Sequence, residues 1–202
     1  MTSLTPQLHH AYVWRGIREV LHETPRGELL DAGCGDGFIS SQLMSLGYKV
    51  TGIDSDPELI NRARSTFPEI RFDCLSLYDD LSASAPDQGW DVILSCEVIE
   101  HLFSPSCFLK NVTKYLKPAG RLVLTTPYHG YLKNVAISVS GAWDRHHSVN
   151  WEGGHIKFYS RRTLTDLLTE SGFEVLRCQG VGRIPLFSKS MICEARKAST
   201  HP

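Results

Sequence analysis

The sequence predicts an α/β fold, an open and mostly parallel sheet with helices between its strands. Three observations predict it. An apolar run, Glu28-Leu29-Leu30-Asp31-Ala32, ends in a turn with glycines at 33, 35 and 37, and Ile39, Leu43 and Leu46 then recur at helical spacing; this reads as strand, tight turn, helix. Strand-like and helix-like segments alternate from residue 28 to residue 126, the pattern of a parallel sheet. Trp90 to Cys96 is a nearly continuous apolar run, suited to the middle of such a sheet.

The glycine turn is the centre of the reading. Without a Cβ, glycine lets the backbone come close to a bound molecule. A turn that opens a helix also offers free N–H groups and the positive end of the helix dipole. A polar or negatively charged small molecule across the strand end is therefore expected. A dinucleotide fingerprint would need its third glycine at position 38, which is Phe38. The pattern is D-x-G-x-G-x-G from Asp31 to Gly37, and it resembles motif I of the class I S-adenosylmethionine (SAM) dependent methyltransferases. There the loop passes under the amino acid and ribose end of the cofactor.

Composition narrows the partners. The charges are 21 basic against 22 acidic, with 42% hydrophobic and 21% charged residues, ordinary globular values. No basic excess exists to grip a nucleic acid backbone. The six cysteines, at 34, 74, 96, 107, 178 and 193, show neither a zinc spacing nor a disulfide framework. Cys74, Cys96 and Cys193 are expected in strands as small hydrophobes. The N-terminus has no basic-then-apolar signal pattern, and no apolar run approaches the roughly 20 residues of a membrane helix. A cytoplasmic location and a single domain over residues 1–202 are expected.

In chain order, residues 6 to 23 suggest a helix through Leu8, Val13, Ile17, Val20 and Leu21, bounded by Pro6 and Pro25. It carries His9, Tyr12 and Trp14, with Trp14 read as packing and Tyr12 and His9 as candidate pocket lining. Gly47 closes the helix after the glycine turn. Tyr48 to Asp54 reads as the second strand, with Asp54 19 residues past Gly35, near the ~20 at which a strand-end carboxylate accepts hydrogen bonds from a ribose diol. Asp56, with Pro57 behind it, is the natural cap of the next helix, which runs to about Phe67. Ile70 to Leu75 reads as strand 3. The resembling family usually carries an acid just after this strand, near the adenine; here Ser76 and Leu77 stand there, so backbone groups would do that work.

Two further segments carry the resemblance. W-D-V-I-L-S-C-E-V-I-E-H-L, residues 90 to 102, resembles motif IV of the ubiquinone-biosynthesis O-methyltransferase type, and L-K-P-A-G-R-L-V-L-T-T-P, residues 116 to 127, follows it. Between them lies a helix from about Pro105 to Leu116, and Lys117 to Gly120 is expected to turn into a strand over Arg121 to Thr126. No [N/D]-P-P-[Y/F] turn follows strand 4, which argues against methylation of base amino groups. The resemblance spans about residues 26 to 197 and implies a Rossmann-like, doubly wound, seven-stranded sheet whose final hairpin, Phe173 to Gly180 and Lys189 to Arg196, ends in an antiparallel last strand. It also implies SAM as cofactor, held by Asp31, Gly33, Cys34, Gly35, Gly37, Phe38, Asp54, Ser55, Ser76, Leu77, Cys96, Glu97 and His101.

Residues 127 to 160 are too long for an ordinary connection and read as a lid or substrate-binding insert. They hold four of the nine histidines. Leu132, Val135, Ala136 and Val139 suggest a short amphipathic helix, expected to pack on the core; in the resembling family such an insert can rest on a membrane surface. G-G-H-I-K-F-Y-S-R-R-T-L-T-D-L-L leads back into a helix from Arg162 to Ser171.

The acceptor is expected to be a small molecule with a phenolic, sugar or lipid-linked hydroxyl. Tyr12, Tyr128, His129, His146, Trp151 and His155 are the candidate contacts. A histidine titrates in the range a general base needs, and His101, His155 and His129 are the candidates. His146 and His147, being adjacent, are expected to point apart, so no metal site is read there. The alternatives are N- or C-methylation of a small metabolite, a non-catalytic SAM-fold partner protein, and a nucleotide-linked oxidoreductase, against which Phe38 speaks.

Overall fold

Strand β1 (Glu28–Ala32) lies at the centre of a seven-stranded sheet. The computed structural model describes residues 8–24, 26–147, 152–182 and 188–198. On one side of β1 runs β2 (Lys49–Asp54) and beyond it β3 (Arg71–Cys74); on the other side run β4 (Trp90–Cys96), β5 (Leu116–Pro127), β7 (Ser190–Lys197) and β6 (Phe173–Val181). The pairings from β3 through β5 are parallel, and β7 is antiparallel to both β5 and β6. The strand order reverses between β1 and β4, which opens a crevice at their carboxyl ends.

Side chains alternate along the strands and feed two cores. On β4, Val92 and Leu94 join one cluster while Ile93 joins the other, the two-residue period of a sheet covered on both faces. Helices α1 (Leu8–His22), α2 (Phe38–Ser45) and α3 (Pro57–Thr66) bury Val13, Ile17, Leu43 and Ile60 against one face. Helices α4 (Pro105–Tyr115) and α7 (Arg161–Glu170) bury Phe108, Val112, Leu164 and Leu168 against the other. Burying one such side chain contributes about 1.5–3 kcal/mol. The predicted caps are present: the Asp56 carboxylate accepts from the Glu58 and Leu59 amides with Pro57 at the first helical position, and Gly47, at φ +91, follows the end of α2.

Four expectations are corrected. Strand β5 begins at Leu116, directly where α4 ends, and Lys117–Gly120 is absorbed as an irregularity, with Trp90 opposite Leu116 and Val92 opposite Arg121. Lys117 anchors this step through two bonds to the Asp91 carboxylate, at 2.8 and 2.9 Å. Cys178 and Cys193, directly opposite on β6 and β7, form a disulfide, because antiparallel pairing aligns residues 15 apart in sequence. Cys74, at the end of edge strand β3, is exposed and not a core hydrophobe. The insert folds as α5 (Tyr131–Val139) and α6 (Trp143–His147), and the apolar stripe of α5 faces outward: Val139 is 84% exposed, Leu132 45% and Val135 41%. Among the described residues, no helix is long and apolar enough to cross a membrane.

Candidate active site

The glycine turn follows directly from β1. The Gly33 and Cys34 amides both donate to the Ile53 carbonyl, at 2.8 and 3.0 Å, which pins the turn to β2. Gly33 sits at φ +86, and a Cβ there would lie 2.5 Å from a Val98 methyl, so only glycine fits between the turn and the exit of β4. Gly35, at φ +55, has open space where its Cβ would be: this is the side a ligand can approach. Gly37 caps α2, with Phe38 as the first helical residue. The Asp54 Oδ2 accepts from the Gly35 amide at 2.9 Å, and its Oδ1 from the Asp56 amide at 3.0 Å. Ser55 is exposed beside it.

Asp31 lies beneath the turn, 1% exposed, and accepts from the Ser40 hydroxyl at 2.6 Å. Burial pushes its carboxyl up to about 6; the Ser40 bond pulls the other way and the Asp54 charge adds to the rise. Burial pushes the Cys34 and Cys96 thiols far up, with nearby carboxylates adding to the effect, so both stay protonated.

At the third strand end, the Ser76 amide donates to the Asp79 carboxylate at 2.8 Å, and the Leu77 carbonyl accepts from Asn111 at 3.1 Å. These two backbone groups are thus partly committed. Asp79, three residues later in sequence, brings back to this place the acid that the sequence pattern lacked.

The exit of β4 holds the most unusual chemistry. Glu97 has φ +55, the one non-glycine residue with positive φ among the described residues, a conformation that costs about 1–3 kcal/mol and clusters at functional sites. The Glu97 amide is held by the Thr125 carbonyl (3.2 Å) and hydroxyl (3.0 Å). The Glu97 Oε2 accepts from the Ser190 hydroxyl at 3.4 Å, and that hydroxyl lies 3.4 Å from the Tyr12 hydroxyl. Helix α1 therefore reaches Glu97 through Tyr12 and Ser190; the His9 side chain lies outside the described residues. The Glu97 Oε1 is buried without a hydrogen-bond partner.

A short 3₁₀ turn, Ile99–His101, follows. Glu100 within it is 1% exposed, and neither of its carboxylate oxygens has a hydrogen-bond partner. Its Oε1 lies 4.0 Å from His101 Nε2 and 3.9 Å from His155 Nε2. His101 Nδ1 lies 2.7 Å from the Gly153 carbonyl. The two imidazoles meet edge to face, 4.9 Å apart. Burial, and then the neighbouring Glu97 charge, raise the Glu100 carboxyl; burial alone is the main cause of the rise at Glu97. Burial and His101 lower His155. One ligand atom from each of Glu100, His101 and His155 lies within 4.8 Å of the others. Glu100 escaped the sequence reading; the signal was an acid within the apolar run Val98-Ile99-Glu100-His101-Leu102.

The remaining candidates gather beside this cluster. His129 is 7% exposed, stacks on His147 at 5.8 Å and meets Phe158 edge to face at 5.0 Å. Burial, with Lys133 next, drives its imidazole down to about 3. His146 and His147 do not point apart: their rings are 5.1 Å from each other, and both lie against His129. Tyr128 packs against the core, with its ring folded over Gly130. Trp151 lies outside the described residues.

The comparisons bear on the family and the fold. The model of a methyltransferase-domain family matches residues 8–177. The ubiquinone biosynthesis O-methyltransferase of Rickettsia canadensis is 25% identical over 175 residues, covering 84% of this chain and 72% of that one. In structure, the putative methyltransferase solved in complex with the Haloferax volcanii Trm112 activator aligns with TM-score 0.72 at 16% identity, over 94% of this chain and 91% of that one. The Synechocystis magnesium protoporphyrin IX methyltransferase with bound S-adenosylhomocysteine (SAH) aligns with TM-score 0.66 at 18% identity, over 92% and 81%. These two likenesses speak for the fold alone. The chain belongs to the methyltransferase-domain family of class I SAM-dependent enzymes.

Proposed function

We propose that the chain transfers the methyl group of SAM to a hydroxyl oxygen of a small molecule held between the exit of β4 and the insert of residues 127–160. The observation that carries this reading is the Glu100–His101–His155 cluster, a buried carboxylate facing two half-buried imidazoles, next to Glu97 at the strand end that borders the glycine turn. The O-methyltransferase name of the Rickettsia relative supports oxygen as the acceptor atom.

In this reading Gly33, Cys34, Gly35, Gly37 and Phe38 line the methionine and ribose of SAM, with Asp54 accepting from the ribose diol and Ser76 and Leu77 bordering the adenine. Cys96 and Glu97 close the methionine end. The sulfonium methyl is already electrophilic, so the protein aligns the acceptor oxygen in line with the S–CH₃ bond and excludes water. Alignment alone can supply about 7–11 kcal/mol of the barrier. The new O–CH₃ bond forms as the C–S bond breaks, its electron pair stays on sulfur to give SAH, and the hydroxyl proton passes to an imidazole nitrogen. A carbonyl only accepts, so the Gly153 oxygen holds the His101 proton on Nδ1 and leaves Nε2 as the basic atom. His155 offers its Nε2 to the same space. His129, driven down to about 3, is a weak base at neutral pH and serves with Tyr12, Tyr128 and His146 as acceptor lining. The outward apolar face of α5 supports an insert that rests on an apolar surface, in keeping with a lipid-linked acceptor.

The test follows labelled methyl from SAM onto a panel of phenolic, sugar and lipid-linked hydroxyl compounds. Transfer to one class, lowered about 10²–10⁴-fold in His155→Ala or His101→Ala, is the expected result. A loss below tenfold in both variants removes the histidine base, and transfer to amines alone overturns the oxygen assignment.

A further inference from the structure

We propose that His129, His146 and His147, with Lys133 beside them, form an oxyanion subsite, so that the methyl acceptor carries a carboxylate or phosphate group besides its hydroxyl. The inference deepens the hydroxyl-methylation reading and rests on it.

The groups come from three elements. His129 stands just past the end of β5, where its amide donates to the Tyr159 carbonyl at 2.9 Å. Lys133 lies in the first turn of α5, and His146 and His147 close α6. The His129 ring is 6.2 Å from that of His146 and 5.8 Å from that of His147, and the last two are 5.1 Å apart. His129 is buried, His147 is half-buried and His146 is exposed, so the three run from a floor to a rim. Phe158 walls the cluster, edge to face with His129 and His147 at 5.0 and 5.1 Å.

Two independent features point to an anion. The first is positive charge without an answering acid. Burial, and then Lys133, lower all three imidazoles; His146 and His147 add to this at His129, as does His155, and His147 does so at His146. Among the described residues, no carboxylate counts among the charges acting on them. The Lys133 ammonium donates to the Tyr128 and Lys189 carbonyls, at 2.7 and 3.4 Å, which are neutral. It also acts on Glu97, but burial raises that carboxyl and weakens it as a counter-ion. Asp144, on α6, is exposed. The second feature is an orphan: His147 Nε2 is buried without a hydrogen-bond partner. Buried polar atoms are ordinarily satisfied, and a ligand oxygen would satisfy this one.

An oxyanion answers both. It accepts from imidazole N–H groups and favours their charged form, so the bonds become charge-assisted and roughly twice as strong. The proton comes from solvent. Histidines that are neutral in the empty site and charged in the filled one make binding tighten as pH falls. The subsite borders the reaction centre through His155, which acts on His129 and also faces Glu100. An acceptor anchored here by its anionic end would present its hydroxyl to His101 and His155.

The test is binding, read without methyl transfer. The full chain, with and without SAH, is titrated by calorimetry with benzoate, phenyl phosphate, phenol and inorganic phosphate. The series runs from about pH 7 to about pH 8.5, where both aryl anions keep nearly their full charge. At least one aryl anion should bind, and phenol should not. Affinity should rise by up to about tenfold per pH unit for each proton taken up, and the uptake itself is read in two buffers of different ionisation heat. His147→Phe, which keeps a ring against Trp143, should weaken binding at least about tenfold and flatten the pH dependence; His146→Gln, at the rim, should weaken it less. Circular dichroism checks that both variants fold. Phenol bound as tightly as the anions, affinity independent of pH, or two variants that both bind like wild type overturns the proposal. Inorganic phosphate bound as tightly as phenyl phosphate makes this a site for a free anion and overturns the acceptor assignment. Aryl-anion binding with the expected pH dependence, but with no hydroxyl methylated, supports the subsite and counts against the reaction.

Discussion

The Gly35 amide donates to Asp54 Oδ2 across 2.9 Å, tying the middle of the glycine turn to the end of β2. One carboxylate thus shapes the loop and, in the proposed reading, also accepts from the ribose diol. Removing it in Asp54→Ala should lose both interactions. Hydrogen bonds to charged groups contribute about 1.5–3 kcal/mol each, so SAH affinity should fall about 10–100-fold by calorimetry. Asp54→Asn, which keeps an acceptor oxygen, should lose less. Equal affinity in wild type and Asp54→Ala would show that the diol is read elsewhere.

Gly33 and Gly35 should respond differently to substitution. A Cβ at Gly33 meets Val98, whereas one at Gly35 meets nothing within 4 Å. Gly33→Ala should lower the melting temperature, and pairing it with Val98→Ala should recover part of that loss. The remainder reflects the positive φ, about 1–2 kcal/mol. Gly35→Val should cost the fold only that backbone strain and abolish SAH binding. Retained binding would mean that the cofactor does not pass over Gly35.

Asp31 gives a pH signature in the cofactor-free protein. Its carboxyl is raised from 3.8 to about 6, first by burial. The native state therefore binds the proton more tightly than the unfolded chain, and stability falls as pH rises from about 4 to about 6. The penalty persists above that window, on the order of 3 kcal/mol. Asp31→Asn, which can still accept from Ser40, should melt higher than wild type at pH 8 and much the same at pH 4. A gain confined to acid would reverse the sign and refute the argument.

The outward face of α5 should be silent for stability. Leu132, Val135 and Val139 are exposed, and exposed substitutions away from caps and partners stay within about 0.5 kcal/mol. The triple change to serine should leave the melting temperature nearly unchanged. Sedimentation with phospholipid vesicles then reports whether this face meets a surface: wild type should co-sediment and the triple variant should not.

Much of the cofactor side was legible in the residues alone. The glycines at 33, 35 and 37, the acid at 54 and the cap at 56 are local requirements, set by backbone conformation and by spacing along one strand–turn–helix unit. The acceptor side was legible only as a list of histidines. Glu100 became visible as a site residue when the fold brought His155, 55 residues away in sequence, to within 3.9 Å of it. His146 and His147 were misjudged because α6 lays both rings against His129.

The sequence by itself determined the order and type of the elements apart from the short helix α6, the glycine turn and its acid partner, because hydrophobic periodicity, glycine conformation and helix capping act over a few residues. Only the tertiary structure decided the rest: the disulfide between Cys178 and Cys193, the early start of β5, the outward face of α5 and the Glu100–His101–His155 cluster. Each of these depends on which segment lies opposite which, and that is fixed by sheet register and packing across the whole chain.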